Sequence, residues 1–216
     1  MTVANRVVAS LDTFNRNHPW SHNDAYIPWV MHQARQIRST DRTSALDVGC
    51  GTGNLVARLA TVFDSVTGIE PDPQVGDLAA GRFSGQPGVR IKQVAFEQET
   101  GEYDFISMVA VLHHLPLLQT LRTMRGMLRP GGRLAVVGVA RDEQDALSVA
   151  SLALNPLIGA VKHPSRSRGT PAEMTAPTAP ANESLPEITA IARQLLPGIR
   201  IRRGLFWRYI AVWTAP

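Results

Sequence analysis

The sequence predicts an α/β protein built on a doubly wound, mostly parallel sheet of seven strands, the last of them antiparallel, with helices on both faces. Three observations carry that reading. Leu46-Asp47-Val48-Gly49-Cys50-Gly51-Thr52-Gly53 joins an apolar strand ending in an acid to glycines at every second position. Glycine there lets main chain approach a ligand closely, because no Cβ stands in the way. Val66-Thr67-Gly68-Ile69-Glu70 is a second apolar strand, also ending in an acid, and residues 133–140 form a nearly unbroken apolar run, as a strand covered on both faces requires.

Residues 3–14 place Val7, Val8, Leu11 and Phe14 at helical spacing and predict an amphipathic helix. His18-Pro19-Trp20-Ser21-His22-Asn23-Asp24-Ala25-Tyr26-Ile27-Pro28-Trp29 follows, dense in aromatic and polar side chains. Trp20 and Trp29 read as anchors packing a terminal helix on the core, with the histidines as surface caps. A helix is expected over 26–37, a polar connection over 38–43 and the first strand over 45–48. Leu55, Val56, Leu59, Ala60 and Phe63 share one stripe and predict a helix over 54–63. The second strand spans 65–69 and a short helix 73–82; a loop marked by Gly85, Pro87 and Gly88 leads into a third strand over 89–94.

The fourth strand spans 105–109, and in an open parallel sheet ligands collect beyond the carboxyl ends of strands. Residues 117–128 predict a helix with Leu118, Leu121, Met124 and Leu128 inward. Arg129-Pro130-Gly131-Gly132 is a turn into the fifth strand at 133–140. Residues 142–161 read as a mostly apolar helix. Residues 162–186 are rich in Pro, Ser, Thr and Ala without a period, the composition of either a substrate-side cover or disorder. A final helix at 186–195 precedes strands at 199–203 and 206–213, paired as an antiparallel hairpin through Gly204 at the sheet edge. Phe206-Trp207-Arg208-Tyr209 reads as core and edge packing. The organisation is an N-terminal helical segment over 1–44 and a core over 45–216, with a Pro-rich insertion at about 142–186.

Composition narrows the function classes. A chain of 216 residues that is 44% hydrophobic fits one domain with a full-sized core. Its net charge of +4 is a mild excess, and no basic run is interleaved with stacking aromatics, so nucleic acid is not the expected partner. The single cysteine excludes an internal disulfide and any Cys-rich zinc site, which suits a reducing cytoplasm. Arg6, Asp12 and Arg16 interrupt any leader-like apolar stretch, and the uncharged run at 146–161 is shorter than a membrane span and broken by Asn155-Pro156. No metal-ligand spacing is present.

The glycine spacing is G-x-G-x-G, not the G-x-G-x-x-G that leaves a helix N-terminus open to a pyrophosphate, which disfavours a nicotinamide dehydrogenase. Asp47, two residues before the first glycine, stands where a carboxylate would meet a cationic ligand. Glu70 ends its strand where an acid can accept hydrogen bonds from both hydroxyls of a ribose.

With these motifs the chain resembles the class I S-adenosylmethionine-dependent methyltransferases. The resemblance continues through Glu102-Tyr103-Asp104-Phe105-Ile106-Ser107-Met108-Val109-Ala110-Val111-Leu112-His113-His114-Leu115, similar to that family's fourth-strand motif. It extends through Met127-Leu128-Arg129-Pro130-Gly131-Gly132-Arg133-Leu134-Ala135-Val136-Val137, similar to the turn into its fifth strand. It implies a Rossmann-like fold, S-adenosyl-L-methionine as cofactor and a small-molecule methyl acceptor, in a cytoplasmic monomer or homodimer. It implies that Asp47 and the backbone of Gly49 and Gly51 position the methionine part, with Gly53 completing the loop and Cys50 packed against the ligand. By the same resemblance Glu70 holds the ribose, Pro71 and Phe96 flank the adenine, and the segment from Ala110 to His114 lies over the reacting methyl. The family's acidic acceptor for the adenine amine is absent after strand three, where Val94-Ala95-Phe96-Glu97 stands.

The segment before the first strand commonly closes as a lid in this family, which makes Tyr26, His22 and Trp20 ligand-contact candidates beside the packing role. An oxygen acceptor of high pKa needs a base; His113 and His114 are the best-placed titratable groups, and adjacent residues at a strand end point apart, so one of the two is structural. Arg141, just past strand five, could pair with an acidic substrate group. The alternatives are a S-adenosylmethionine-binding protein without transfer activity and a nucleic-acid or protein methyltransferase. Nucleic acid is disfavoured because Ala110-Val111-Leu112-His113 stands where the family's motif for base amines would be.

Overall fold

The computed structural model of the chain describes residues 23–37, 43–141, 181–205 and 208–216. The helices expected at 3–14 and 142–161, most of the 162–186 segment, and His18, Trp20 and His22 lie outside the described residues.

A 3-10 turn at Asp24–Tyr26 leads into α1 (Ile27–Arg35) and β1 (Ser44–Val48). Then come α2 (Asn54–Leu59), β2 (Ser65–Ile69), α3 (Pro73–Arg82) and β3 (Val89–Lys92). β4 (Tyr103–Val109), α4 (Leu117–Met127), β5 (Leu128–Val139), α5 (Leu185–Leu195), β6 (Arg200–Arg203) and β7 (Arg208–Thr214) complete the chain. The seven strands form one sheet in the order β3-β2-β1-β4-β5-β7-β6. β1 to β5 pair in parallel, whereas β7 runs antiparallel to both β5 and β6. The expected hairpin is present, with its second strand wedged inside the sheet and β6 left on the edge.

Strand alternation divides the core between two helical layers. Ala45, Phe105, Ala135 and Val137 face the side of α1 and α2, where the Phe105 and Phe63 rings stack with centroids 5.7 Å apart. Leu46, Val48, Ile106, Met108, Leu134 and Val136 face α4 and α5. β1, β4 and β5 are therefore covered on both faces, which is why their sequences read as continuous apolar runs.

Three local expectations are corrected. α2 stops at Leu59 and turns carry the chain to Phe63, whose ring stays buried. β3 ends at Lys92, not at residue 94. In α4 Leu121 and Met124 face inward as expected and Leu128 is buried at the start of β5, but the stripe is completed by Leu117, Thr120 and Met127, while Leu118 is exposed.

β5 also starts earlier than expected. Leu128 pairs with Tyr103 and Arg133 with Phe105, so Arg129-Pro130-Gly131-Gly132 bulges out opposite Asp104 alone. That bulge brings Arg129 onto Asp104, which also accepts hydrogen bonds from the amides of Thr43 (3.1 Å) and Ser44 (2.9 Å) and from the Thr43 hydroxyl (2.9 Å). Burial alone would push this carboxyl up; the Ser44 amide, the Thr43 hydroxyl and the Arg129 charge outweigh it and hold it below the usual carboxylate range. Because the folded value lies below the unfolded one, the stability it gives is present above the ordinary carboxylate pKa and is lost as pH falls through the folded value. Asp104→Ala is expected to cost about 2–3 kcal/mol by orphaning these donors. Urea melts at pH 7 and pH 3 check this, the difference from wild type shrinking in acid.

Candidate active site

The glycine loop owes its path to three left-handed residues: Gly49, Gly51 and Gly53 have φ of +67°, +53° and +84°. The amides of Gly49 and Cys50 both donate to the Ile69 carbonyl at 2.9 Å, tying the loop to the end of β2. One residue further on, Glu70 bridges the gap between loop and sheet. Its Oε2 accepts from the Gly51 amide at 3.0 Å and its Oε1 from the Asp72 amide at 3.1 Å. Asp72 in turn caps α3, accepting from the Gln74 and Val75 amides.

Asp47 lies under this loop, 3% exposed, and its Oδ1 accepts from the Ser107 hydroxyl at 2.9 Å. Ser107 is its partner in the β1–β4 register. Burial pushes the Asp47 carboxyl up to about 7; the negative charge of Glu70 adds to that, and the Ser107 bond only partly offsets it. A buried acid poised near neutrality is what a cation would recruit into its charged form. Cys50 packs against Gly68, and burial with the charges of Asp47 and Glu70 keeps its thiol protonated, so it is no nucleophile.

Beyond β4 the backbone is strained. Ala110 has φ +56°, the only positive φ at a non-glycine residue among the described residues, and its amide donates to the Val137 carbonyl at 2.7 Å. Such a conformation costs an L-residue about 1–2 kcal/mol and clusters at functional sites. The kink swings Val111 across to the glycine loop: a Cβ built on Gly49 would lie 2.3 Å from Val111 Cγ2. A 3-10 turn at Leu112–His114 follows, with Leu112 buried, His113 half-buried and His114 exposed.

The histidine rings touch, their centroids 4.0 Å apart. His113 Nδ1 is buried and finds no hydrogen-bond partner among the described residues. Burial, with His114 and the positive charge of Arg208, pulls His113 down to about 4, so it is neutral at physiological pH. Arg208 sits at the start of β7 opposite Val139, at the carboxyl end of β5, and donates to the Asn23 carboxamide oxygen through Nε (3.3 Å) and Nη2 (3.1 Å). The same guanidinium acts on Tyr26, whose hydroxyl donates to the Leu205 carbonyl at 2.7 Å and whose pKa burial raises.

The predicted residues therefore fall in two groups. Asp47, Gly49, Cys50, Gly51, Gly53 and Glu70 converge between β1 and β2, with Ala110 facing them from β4. Tyr26 and His113 each feel the charge of Arg208 beyond β5, while His114 is exposed. Pro71 is exposed at the end of β2, and Phe96 is buried in the core on the side of α4 and α5. Ser107 and Arg208 were missed. Ser107 becomes meaningful only through the β1–β4 register, and the signal for Arg208 was a charge inside an otherwise apolar strand. Arg141 is taken up by the carbonyl of Asn182 and the Glu187 carboxylate.

Residues 46–134 match the family described as Methyltransferase domain. An uncharacterized methyltransferase of Mycobacterium tuberculosis is 32% identical over 212 residues, covering 93% of this chain and 99% of that protein. The trans-aconitate 2-methyltransferase of Deinococcus radiodurans is 35% identical over 92 residues, 42% of this chain and 36% of the enzyme. In fold, the chain is similar to the N-methyltransferase NodS of Bradyrhizobium japonicum in complex with S-adenosylhomocysteine, with a TM-score of 0.59 and 17% identity over 95% of this chain and 97% of that one.

Proposed function

We propose, from the premise that this chain belongs to the class I S-adenosylmethionine-dependent methyltransferases, that it methylates a small cytoplasmic metabolite whose reacting atom sits between Ala110 and His113. The cofactor supplies a methyl group on a sulfonium, and the displacement gains its rate chiefly from orientation in a water-poor site. The chain's own residues fit that cofactor. Asp47 offers a buried carboxyl that a cation would ionise, and Gly51 leaves its Cβ side open, with nothing within 4 Å. Glu70, already fixed at both oxygens by main-chain amides, lies where ribose hydroxyls would bind.

The observation that carries the acceptor reading is His113. Its Nδ1 is a buried nitrogen with no partner among the described residues, within reach of the Arg208 charge at the carboxyl end of the sheet. A neutral imidazole there can accept a proton from a hydroxyl or orient one. The arrangement supports a compact acceptor, and the partial likeness to trans-aconitate 2-methyltransferase points the same way.

A mass-spectrometric screen of metabolites for the gain of one methyl, with S-adenosylmethionine present, tests the reading; a protein or nucleic-acid acceptor methylated in preference would overturn it. With the acceptor found, His113→Gln is expected to lower kcat about a hundredfold while leaving S-adenosylhomocysteine affinity unchanged. The wild-type rate should be flat from pH 6 to 8 as far as His113 is concerned, since its neutral form persists down to about 4.

A further inference from the structure

The face of the sheet under α1 carries a second feature, well apart from the glycine loop. The register places Arg133 opposite Thr214, Arg200 opposite Val212 and Arg202 opposite Ile210, so all three arginines project from one face across β5, β7 and β6. Trp29 and Gln33 of α1 stand over that face, and with Arg200, Arg202, Ile210 and Val212 they line a cleft of about 190 Å³. None of the three guanidiniums has a hydrogen-bond or ion-pair partner among the described residues, and the Nε of Arg133 is buried with none. Arg133 and Arg200 are close enough for burial and mutual repulsion to lower the pKa of Arg133.

Charges on an edge strand are a common guard against edge-to-edge pairing, and that accounts for Arg200 and Arg202. It does not account for Arg133, which lies on β5, between β4 and β7 inside the sheet. Arg133 is half-buried beside Arg200 with no carboxylate among the described residues to pair with it, a cost to the fold that a bound anion would reduce. A monocarboxylate would leave most of that charge uncompensated; a phosphate monoester brings up to two charges and three acceptor oxygens, which guanidinium forks match. The indole of Trp29 offers an apolar wall for the organic part. The cleft is concave and small, which suits a compact ester rather than a bilayer or a polynucleotide. We propose that this cleft binds the phosphate group of a small phosphorylated molecule, held by Arg200 and Arg202, with the neighbouring Arg133 adding positive charge and Trp29 standing over the site.

Calorimetric titration of the full chain with phenyl phosphate, at physiological ionic strength in chloride, tests the site. Expected are saturable binding of one molecule per chain, weakening of about tenfold in Arg200→Gln and in Arg133→Gln, and no change in Arg193→Gln, which removes an exposed charge elsewhere. Arg200 is at the exposed edge, so its variant keeps the test valid even where the Arg133 variant fails to fold. Saturating S-adenosylhomocysteine should leave the binding unchanged, which separates this site from the cofactor's. The proposal is overturned by absence of saturable binding, by equal weakening in Arg193→Gln, by displacement with S-adenosylhomocysteine, or by binding only to vesicles containing phosphatidic acid or only to a single-stranded oligonucleotide.

Discussion

Asp47→Asn is expected to weaken S-adenosylmethionine binding about a hundredfold at pH 8 while making the cofactor-free protein more stable at the same pH. Both effects come from one carboxyl group that burial has raised to about 7. Because the folded value is above the unfolded one, the stability this group gives is complete below about pH 4, and it is lost as pH rises to 7 and beyond. Above 7 the folded protein holds a buried charge to which, among the described residues, Ser107 alone donates. Asparagine cannot ionise, so it removes that cost. The net gain is about 2 kcal/mol, less than the shift implies, because the amide brings N–H donors into the same buried place. Thermal melts of both proteins at pH 5 and pH 8 check this; the variant should melt higher only at the upper pH.

The binding arm has its own pH signature. A cationic ligand needs Asp47 ionised, so wild-type affinity should fall about tenfold for each pH unit below about 7, and binding should release a proton there. The variant should show neither. Calorimetry in two buffers of different ionisation enthalpy measures the proton count. A wild-type affinity that stays level from pH 8 to pH 5 would sink the assignment of Asp47 to the cofactor.

How far the sequence carried the reading depended on whether each feature was local. β1, β2 and the loop between them were legible because apolar runs, acids and glycines are adjacent in the chain and each restricts the backbone by itself. The two layers of the core followed from alternation. What was not legible depends on pairing across the sheet. Ser107 reaches Asp47 through register alone, and Arg208 joins Tyr26 and His113 only because β7 inserts beside β5. The bulge at Arg129-Pro130-Gly131-Gly132 read correctly as a turn, yet its partner Asp104 was invisible without the strand pairing. In α4 Leu121 and Met124 were legible, but Leu117 and Leu118 are adjacent leucines and only the packing of the helix on the sheet decides that Leu117 is the buried one.

Two of the three loop glycines, Gly49 and Gly51, separate fold from ligand in a way that one substitution cannot. At Gly49 an added Cβ meets the Val111 side chain at 2.3 Å and the backbone must hold φ +67°, so Gly49→Ala bears both a steric clash and left-handed strain. We expect it to lose about 3 kcal/mol or more of stability. At Gly51 φ is +53° but nothing lies within 4 Å of the added methyl, so Gly51→Ala should lose only about 1 kcal/mol. Adding Val111→Ala to Gly49→Ala should recover the steric part and leave the strain, a coupling that a double-mutant cycle measures. For cofactor affinity the expectation differs. The open side of Gly51 is where a bound ligand would come close, so Gly51→Ala should weaken S-adenosylhomocysteine binding about thirtyfold despite its mild effect on folding. A Gly51→Ala protein that melts near wild type and binds S-adenosylhomocysteine with undiminished affinity would move the cofactor away from this loop.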